Sequence, residues 1–326
     1  VNISEIAKMA GVSNAAVSRY LNNGYLSEEK RAVIRRVIEE TGYRPSAQAQ
    51  TLRTGQTKTV GVILPRIDSF SIGSVMTGID AALERKGFRL LLADTHNDPA
   101  KELEYLDIFG QQHVDGVILI ATVFTPAHVR AIKGRKIPLV IVGQHLPNTP
   151  CVYHDDYHAF YDMTKLVLKK GCRTLGYIGA LPQDRAVGQE RSRAFLDAVR
   201  EAGLPEPHTI IADFSIASGR QKAQELLERS GPLDAMVCAT DTIAAGALQY
   251  LRSQGIQTPG QMLLTGHGAS DVSGVTSPTI TTIRYFYEES GAEAAGLLLE
   301  QMEKPDLPPK EIKLGYAIVE NESTAR

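Results

Sequence analysis

The sequence predicts an α/β protein in two parts: a three-helix helix-turn-helix headpiece with a hinge helix, then a two-lobed body built on parallel sheets. Up to Tyr43, apolar residues recur at helical spacing around a turn containing Gly11, whereas from Thr59 short apolar runs alternate with amphipathic stretches. That alternation repeats in a second series from about residue 156, which points to two lobes of similar build with a ligand cleft between them.

In the headpiece, Ile3, Ile6, Ala7 and Ala10 fall on one helix face, and Gly11 follows where an open or left-handed backbone is least costly. Ser13 is placed to cap a second helix over 14–21, with Val12, Val17 and Leu21 on its apolar side. A third helix starts at Ser27-Glu28-Glu29-Lys30, its acids complementing the helix dipole. Ala32, Val33, Val37 and Ile38 are expected to close the small core. Two short helices joined by a three-residue turn make the helix-turn-helix pattern. Pro45 disfavours helix at Arg44 and ends this domain, residues 1–45. The run 46–53 is helix-capable but too short to be stable alone in water, so 46–58 reads as hinge helix and linker.

The body, 59–326, is expected to hold strands at 60–64, 89–93, 116–120 and 139–142, all read as fully buried. A second set follows at 175–178, 208–211, 235–238 and 262–265. Helices are expected between them, for example at 73–86, 100–112, 125–132 and 158–170. Such βαβ alternation implies parallel sheets covered on both faces.

Charge separates the two parts. Residues 1–58 contain nine Lys/Arg against five acids, a balance of +4, leaving 26 basic and 32 acidic residues, or −6, for the remainder. A small basic module on an acidic body suits phosphate binding at one end. The three cysteines, Cys151, Cys172 and Cys238, have neither the number nor the spacing of a disulfide framework or metal site. No apolar run is long enough for a membrane span, and no basic-then-apolar signal segment opens the sequence, so a cytoplasmic location is expected. If the second helix enters a major groove, Asn14, Ala15 and Arg19 reach base edges: Arg19 suits guanine, Asn14 adenine, and Ala15 a thymine methyl. Ser4, Ser13 and Ser18 are placed for phosphates.

The residues Ile3-Ser4-Glu5-Ile6-Ala7, Gly11-Val12-Ser13, Val17-Ser18-Arg19 and Leu21-Asn22, continued by Gly42-Tyr43-Arg44-Pro45 and Ala49-Gln50-Thr51-Leu52, resemble the lactose-repressor (LacI/GalR) family of bacterial transcriptional regulators. The resemblance runs nearly end to end. It implies a hinge helix that folds when two copies pair on DNA, with Leu52 wedged between base pairs at the operator centre, and Ala49, Gln50 and Arg53 beside it. Many relatives carry Arg where Gln50 stands, which implies one contact fewer. It further implies a body like the periplasmic sugar-binding proteins, with three crossings between lobes near 155, 285 and 315. Lobe 1 would take about 59–155 and 285–312; lobe 2 would take 156–284 and 313–326, including a closing strand segment at 312–318.

Ligands in open α/β sheets sit at the carboxyl ends of strands. After the first strand come Asp68, Phe70 and Ser71, two hydrogen-bonding groups beside a ring that can stack on a sugar face. The stretch 182–191 matches a family loop in which Arg191 grips the ligand, with Arg185 a second candidate. Phe214 offers an aromatic wall, and Thr240-Asp241 a polar pair. Where many relatives have an aromatic residue followed by Asp, this chain has His267-Gly268, so His267, or Asp271 of the same loop, is the expected substitute. Tyr285 stands where relatives often have Gln. His154-Asp155-Asp156-Tyr157-His158 has a possible metal spacing but reads better as a helix start. No phosphate loop, dinucleotide fingerprint, nucleophile elbow or Cys-His arrangement supports catalysis, and no cofactor or metal is expected.

The sequence therefore points to a regulator rather than an enzyme: a homodimeric repressor of a carbohydrate-utilisation operon, on palindromic double-stranded operator DNA, controlled by a small-molecule effector, a sugar. A purine or other metabolite is the alternative effector. A sugar-binding transport protein is the rival reading, and it requires an export signal and no headpiece.

Overall fold

The structure, a computed structural model, describes residues 1–43, 56–111 and 114–325. It divides into two compact units, 1–57 and 58–326.

In the first unit, α1 (Ile3–Met9) opens with a reciprocal cap. The Asn2 side chain accepts from the Glu5 backbone N–H at 3.0 Å, and the Asn2 backbone N–H donates to the Glu5 carboxylate at 2.9 Å. Gly11, at φ +64°, turns the chain into α2 (Asn14–Leu21), capped by Ser13 Oγ on the Ala16 N–H at 3.2 Å. The third helix, α3 (Glu28–Thr41), stops at Gly42, which is left-handed at φ +62°. Ile6, Val17, Ile34 and Val37 form the centre of the core. Ala32 was expected there and is instead exposed, because positions 34 and 37 carry the inward phase of α3.

The second unit begins with β1 (Thr59–Leu64), α4 (Phe70–Glu84), β2 (Arg89–Asp94), α5 (Pro99–Gln111), β3 (Gly116–Ile120), α6 (Pro126–Lys133), β4 (Leu139–Val142) and β5 (Cys151–His154). There follow α7 (Asp156–Lys169), β6 (Leu175–Gly179), α8 (Arg191–Glu201), β7 (His208–Ile211), α9 (Ile216–Ser230), β8 (Ala235–Cys238), α10 (Asp241–Ser253), β9 (Leu263–Thr265), α11 (Asp271–Val275) and β10 (Thr282–Tyr285). The chain ends with α12 (Tyr287–Glu303), β11 (Glu311–Leu314) and β12 (Tyr316–Val319). A parallel six-stranded sheet runs β11-β5-β4-β3-β1-β2, a parallel four-stranded sheet runs β7-β6-β8-β9, and β10 pairs antiparallel with β12. Each large sheet and its helices make one lobe.

Two expectations are corrected. The tail 312–318 does not belong to one lobe: β11 adds to the first lobe's sheet beside β5, and only after Gly315 does β12 join β10. The parallel edge at β5 offers hydrogen-bonding partners to the backbone of Ile312, Lys313 and Leu314, so residues 313 and 314 stay with the first lobe. Nor is every apolar run buried. β2 is the outermost strand, with Leu91 40% and Leu92 45% exposed, and β7 at the other sheet's edge leaves Ile211 40% exposed. The chain changes lobe at Asp155, Phe286 and Gly315.

Glycines let helices touch backbone to backbone in both lobes. In the first, a Cβ on Gly78 would stand 1.9 Å from the Glu288 carbonyl oxygen, and one on Gly291 2.0 Å from that of Val75. In the second, Gly219 faces the Ile243 carbonyl and Gly246 that of Ile216 in the same way, at 2.4 and 2.1 Å.

Candidate functional site

In the headpiece, Asn14, Ala15 and Arg19 are exposed on α2, on the side away from buried Ala16 and Val17. Asn14 Nδ2 donates to Ser4 Oγ at 3.1 Å, tying the start of α2 to α1. Ser13 is committed to its cap, and the Ser18 carbonyl accepts from Asn22 at 2.5 Å. Ala49, Gln50, Leu52 and Arg53 lie outside the described residues.

In the body, a cavity of about 530 Å³ lies at the carboxyl ends of the strands, with walls from both lobes. That volume is ordinary for a small-molecule site. Asp68, Phe70 and Ser71 line it from the segment after β1, and Arg191, Phe214, Thr240, Asp241, His267 and Tyr285 line it from the second lobe and the crossing strand. Arg185 does not line it. A wide helical turn at Arg185–Glu190 leads into α8 and turns the Arg185 guanidinium toward the first lobe, where it donates to the His145 carbonyl at 3.2 Å. Gly188 makes this turn possible, since a Cβ there would stand 2.0 Å from the Leu181 carbonyl oxygen.

At the inner wall, the buried Arg191 guanidinium gives Nε and Nη2 to Asp156 Oδ1, each at 2.8 Å, and Nη1 to the Ala239 carbonyl at 2.7 Å. Tyr285 donates its hydroxyl to the same Asp156 oxygen at 3.0 Å. Burial disfavours the Arg191 charge, but the Asp156 carboxylate bound to it more than offsets this and keeps it charged. His154 stacks on Tyr285 with centroids 4.4 Å apart, and His267 meets the same ring edge-on at 4.7 Å. Burial, reinforced by the charge of Arg191, holds the His267 imidazolium far below its usual range, and burial lowers His154 too. Both rings are therefore neutral.

Asp241 plays a different part from the one its position suggested. Its oxygens accept from Thr282 Oγ1 at 2.6 Å and from the Ser270 N–H and hydroxyl at 2.7 and 3.0 Å, so it fastens the loop after β9. Gly266 allows this approach, since a Cβ there would stand 2.4 Å from Asp241 Oδ1. Gly268 sits at φ +122°, a backbone that side chains rarely adopt, so an Asp at this position would be strained. Thr240 Oγ1 is the cap of α10.

Sequence reasoning missed Gln144, His154, Asp156, Asp184 and Tyr287, all on the cavity wall. His154 ends β5 and Asp156 follows it, and the strand-end rule that found Phe70 points to them equally. Asp155, their neighbour, is the cap of α7, accepting from His158 and from Lys313 at 2.9 Å. Among the described residues no group of three or more His, Cys, Asp or Glu side chains is gathered for a metal, and no helix is long and apolar enough to cross a membrane.

Residues 2–46 match the model of bacterial regulatory proteins of the lacI family, and residues 164–324 match that of a periplasmic binding protein-like domain. The sucrose operon repressor of Staphylococcus xylosus is 32% identical over 302 residues, 93% of this chain and 94% of that one. The chain belongs to the lacI family of bacterial regulatory proteins. A LacI-family regulator from Silicibacter pomeroyi matches in structure with a TM-score of 0.86 at 28% identity, over 100% of both chains. The lac repressor dimer bound to operator and the anti-inducer ONPF matches with a TM-score of 0.91 at 17% identity, over 100% of this chain and 99% of that one, a likeness of fold. Members of the family are transcriptional regulators and not enzymes.

Proposed function

We propose that this lacI-family regulator is a cytoplasmic homodimeric repressor of a carbohydrate-utilisation operon, and that a small sugar in the cleft between the lobes controls its grip on a palindromic operator. The observation that carries the reading is the outward row of Asn14, Ala15 and Arg19 on a well-capped α2, in a chain whose relative over 93% of its length is a sucrose operon repressor. The exposed leucines of β2 and Ile211 of β7 give the body apolar edges that a second copy can cover. Asn14, Ala15 and Arg19 are assigned to base edges, Ser4 and Ser18 to phosphates, and Leu52 to the operator centre. Phe70, Phe214, Arg191, His267 and Tyr285 are assigned to the effector, and Arg185 to lobe contact instead.

Selection of DNA from a random library by the full chain tests this. A palindromic site should be enriched, with an affinity that falls steeply as salt rises. Arg19→Ala should weaken binding to it by about 1–3 kcal/mol and relax the choice of base at one position in each half. Enrichment of no palindrome, or unchanged binding by Arg19→Ala, would refute the assignment.

A further inference from the structure

The inner wall of the cavity carries three buried ring nitrogens with no hydrogen-bond partner among the described residues: Nδ1 and Nε2 of His267 and Nε2 of His154. The two side chains are 3% and 8% exposed, and both line the cavity. Buried polar atoms are nearly always paired, so these three mark where a ligand's polar groups go.

Their chemistry restricts the ligand. A neutral imidazole offers one N–H donor and one bare acceptor nitrogen. A hydroxyl can answer either, whereas a carboxylate or phosphate only accepts and meets the bare nitrogen with repulsion. The wall's charges point the same way. Arg191 is already bound to Asp156 and the Ala239 carbonyl, and Asp241 is saturated by Ser270 and Thr282. A buried anion would find no uncommitted cation on this wall.

We propose that the effector is a polyhydroxylated molecule without an anionic group, a sugar bearing no phosphate or carboxylate, whose hydroxyls are held by His267 and His154. The inference rests on the reading of the cleft as the effector site. It makes the two histidines this chain's specificity determinants.

The test is isothermal titration of the full chain with sucrose, cellobiose and glucose, and with sucrose 6-phosphate, glucose 6-phosphate, gluconate and hypoxanthine. At least one uncharged sugar should bind, and its charged counterpart should bind at least 100-fold more weakly. His267→Leu should weaken the sugar at least tenfold while the unliganded melting temperature holds or rises, because two unpaired polar atoms leave the interior. His154→Phe, which preserves the stack on Tyr285, should weaken it at least fivefold and serves if the first variant does not fold. Tighter binding of a charged probe or of hypoxanthine, binding of none of the uncharged sugars at millimolar concentration, or wild-type affinity in both variants would overturn the proposal. Operator binding is followed in the same samples. A charged probe that changes it would sink the uncharged ligand but leave the regulator, whereas a sugar that binds without changing it would leave the ligand chemistry and sink sugar control.

Discussion

Buried charges in this chain follow two different solutions. Arg191 and Asp156 form a salt bridge at 2.8 Å, whereas Glu102 and His128, on facing helices of the first lobe, stand 3.5 Å apart at 3% and 1% exposure. Burial raises the Glu102 carboxyl from 4.5 to about 8 and lowers His128, so at neutral pH this pair is uncharged. Folded Glu102 then keeps a proton that the unfolded chain releases above about pH 4.5. Its contribution is harmless below that pH, and the folded state loses stability as pH rises from there toward 8. Glu102→Gln, which ionises in neither state, should match the wild type near pH 4.5 and exceed it by ~3 kcal/mol at pH 7. Denaturant melts across this range check it; an offset independent of pH would show that Glu102 is ionised in the fold. The sequence could announce Arg191, which stands in a recognisable motif, but not Glu102. An acid in the first turn of α5 looks like an ordinary dipole partner until α6 covers it.

At the scale of elements, the strands and helices were legible because their apolar periods are long and regular. What periodicity cannot tell is where in a sheet a strand lies. The run Leu90-Leu91-Leu92 reads as interior, and only the strand order β3-β1-β2 makes it an edge. Contacts between helices were equally hidden, since Gly78 and Gly291 become informative only once α4 and α12 are seen to cross at them. Gly78→Ala and Gly291→Ala should each destabilise the protein by about 1–3 kcal/mol or more, as the new methyl forces the helices apart. Gly296→Ala, on the same α12 with nothing within 4 Å of its Cβ, should stabilise by about 0.5–1 kcal/mol. Thermal melts of the three variants decide, and equal effects would remove the special role of the crossing.

Over the whole body, the lobes touch through side chains as well as through the chain. Gln144 Nε2 donates to Asp184 Oδ1 at 3.1 Å, and Arg185 reaches the His145 carbonyl. Burial raises the Asp184 carboxyl to about 6, close to where such a contact becomes sensitive to acidity. A ligand that binds only the closed arrangement gains from anything that favours closure. Arg185→Ala removes about 1 kcal/mol of hydrogen bonding between the lobes, so if this contact favours the ligand-binding arrangement it should weaken the effector by roughly fivefold, although the side chain does not line the cavity. Titration calorimetry measures this, and an unaltered affinity would uncouple the contact from closure. The sequence supplied the two lobes and the strand ends, while this bridge joins residues 40 positions apart and emerges only from the fold.

The interlocked glycine crossings, one in each lobe, have a mechanical consequence. Two helices meshed at their backbones cannot slide without unpacking, so each lobe behaves as a solid plate. Compliance is then left to the places where the chain changes lobe: Asp155, Phe286 and Gly315. Two plates joined by three short pivots have few ways to move, and rotation about one axis is the easiest. A ligand that bridges the cleft would then act on that one rotation, whose axis the three crossings set.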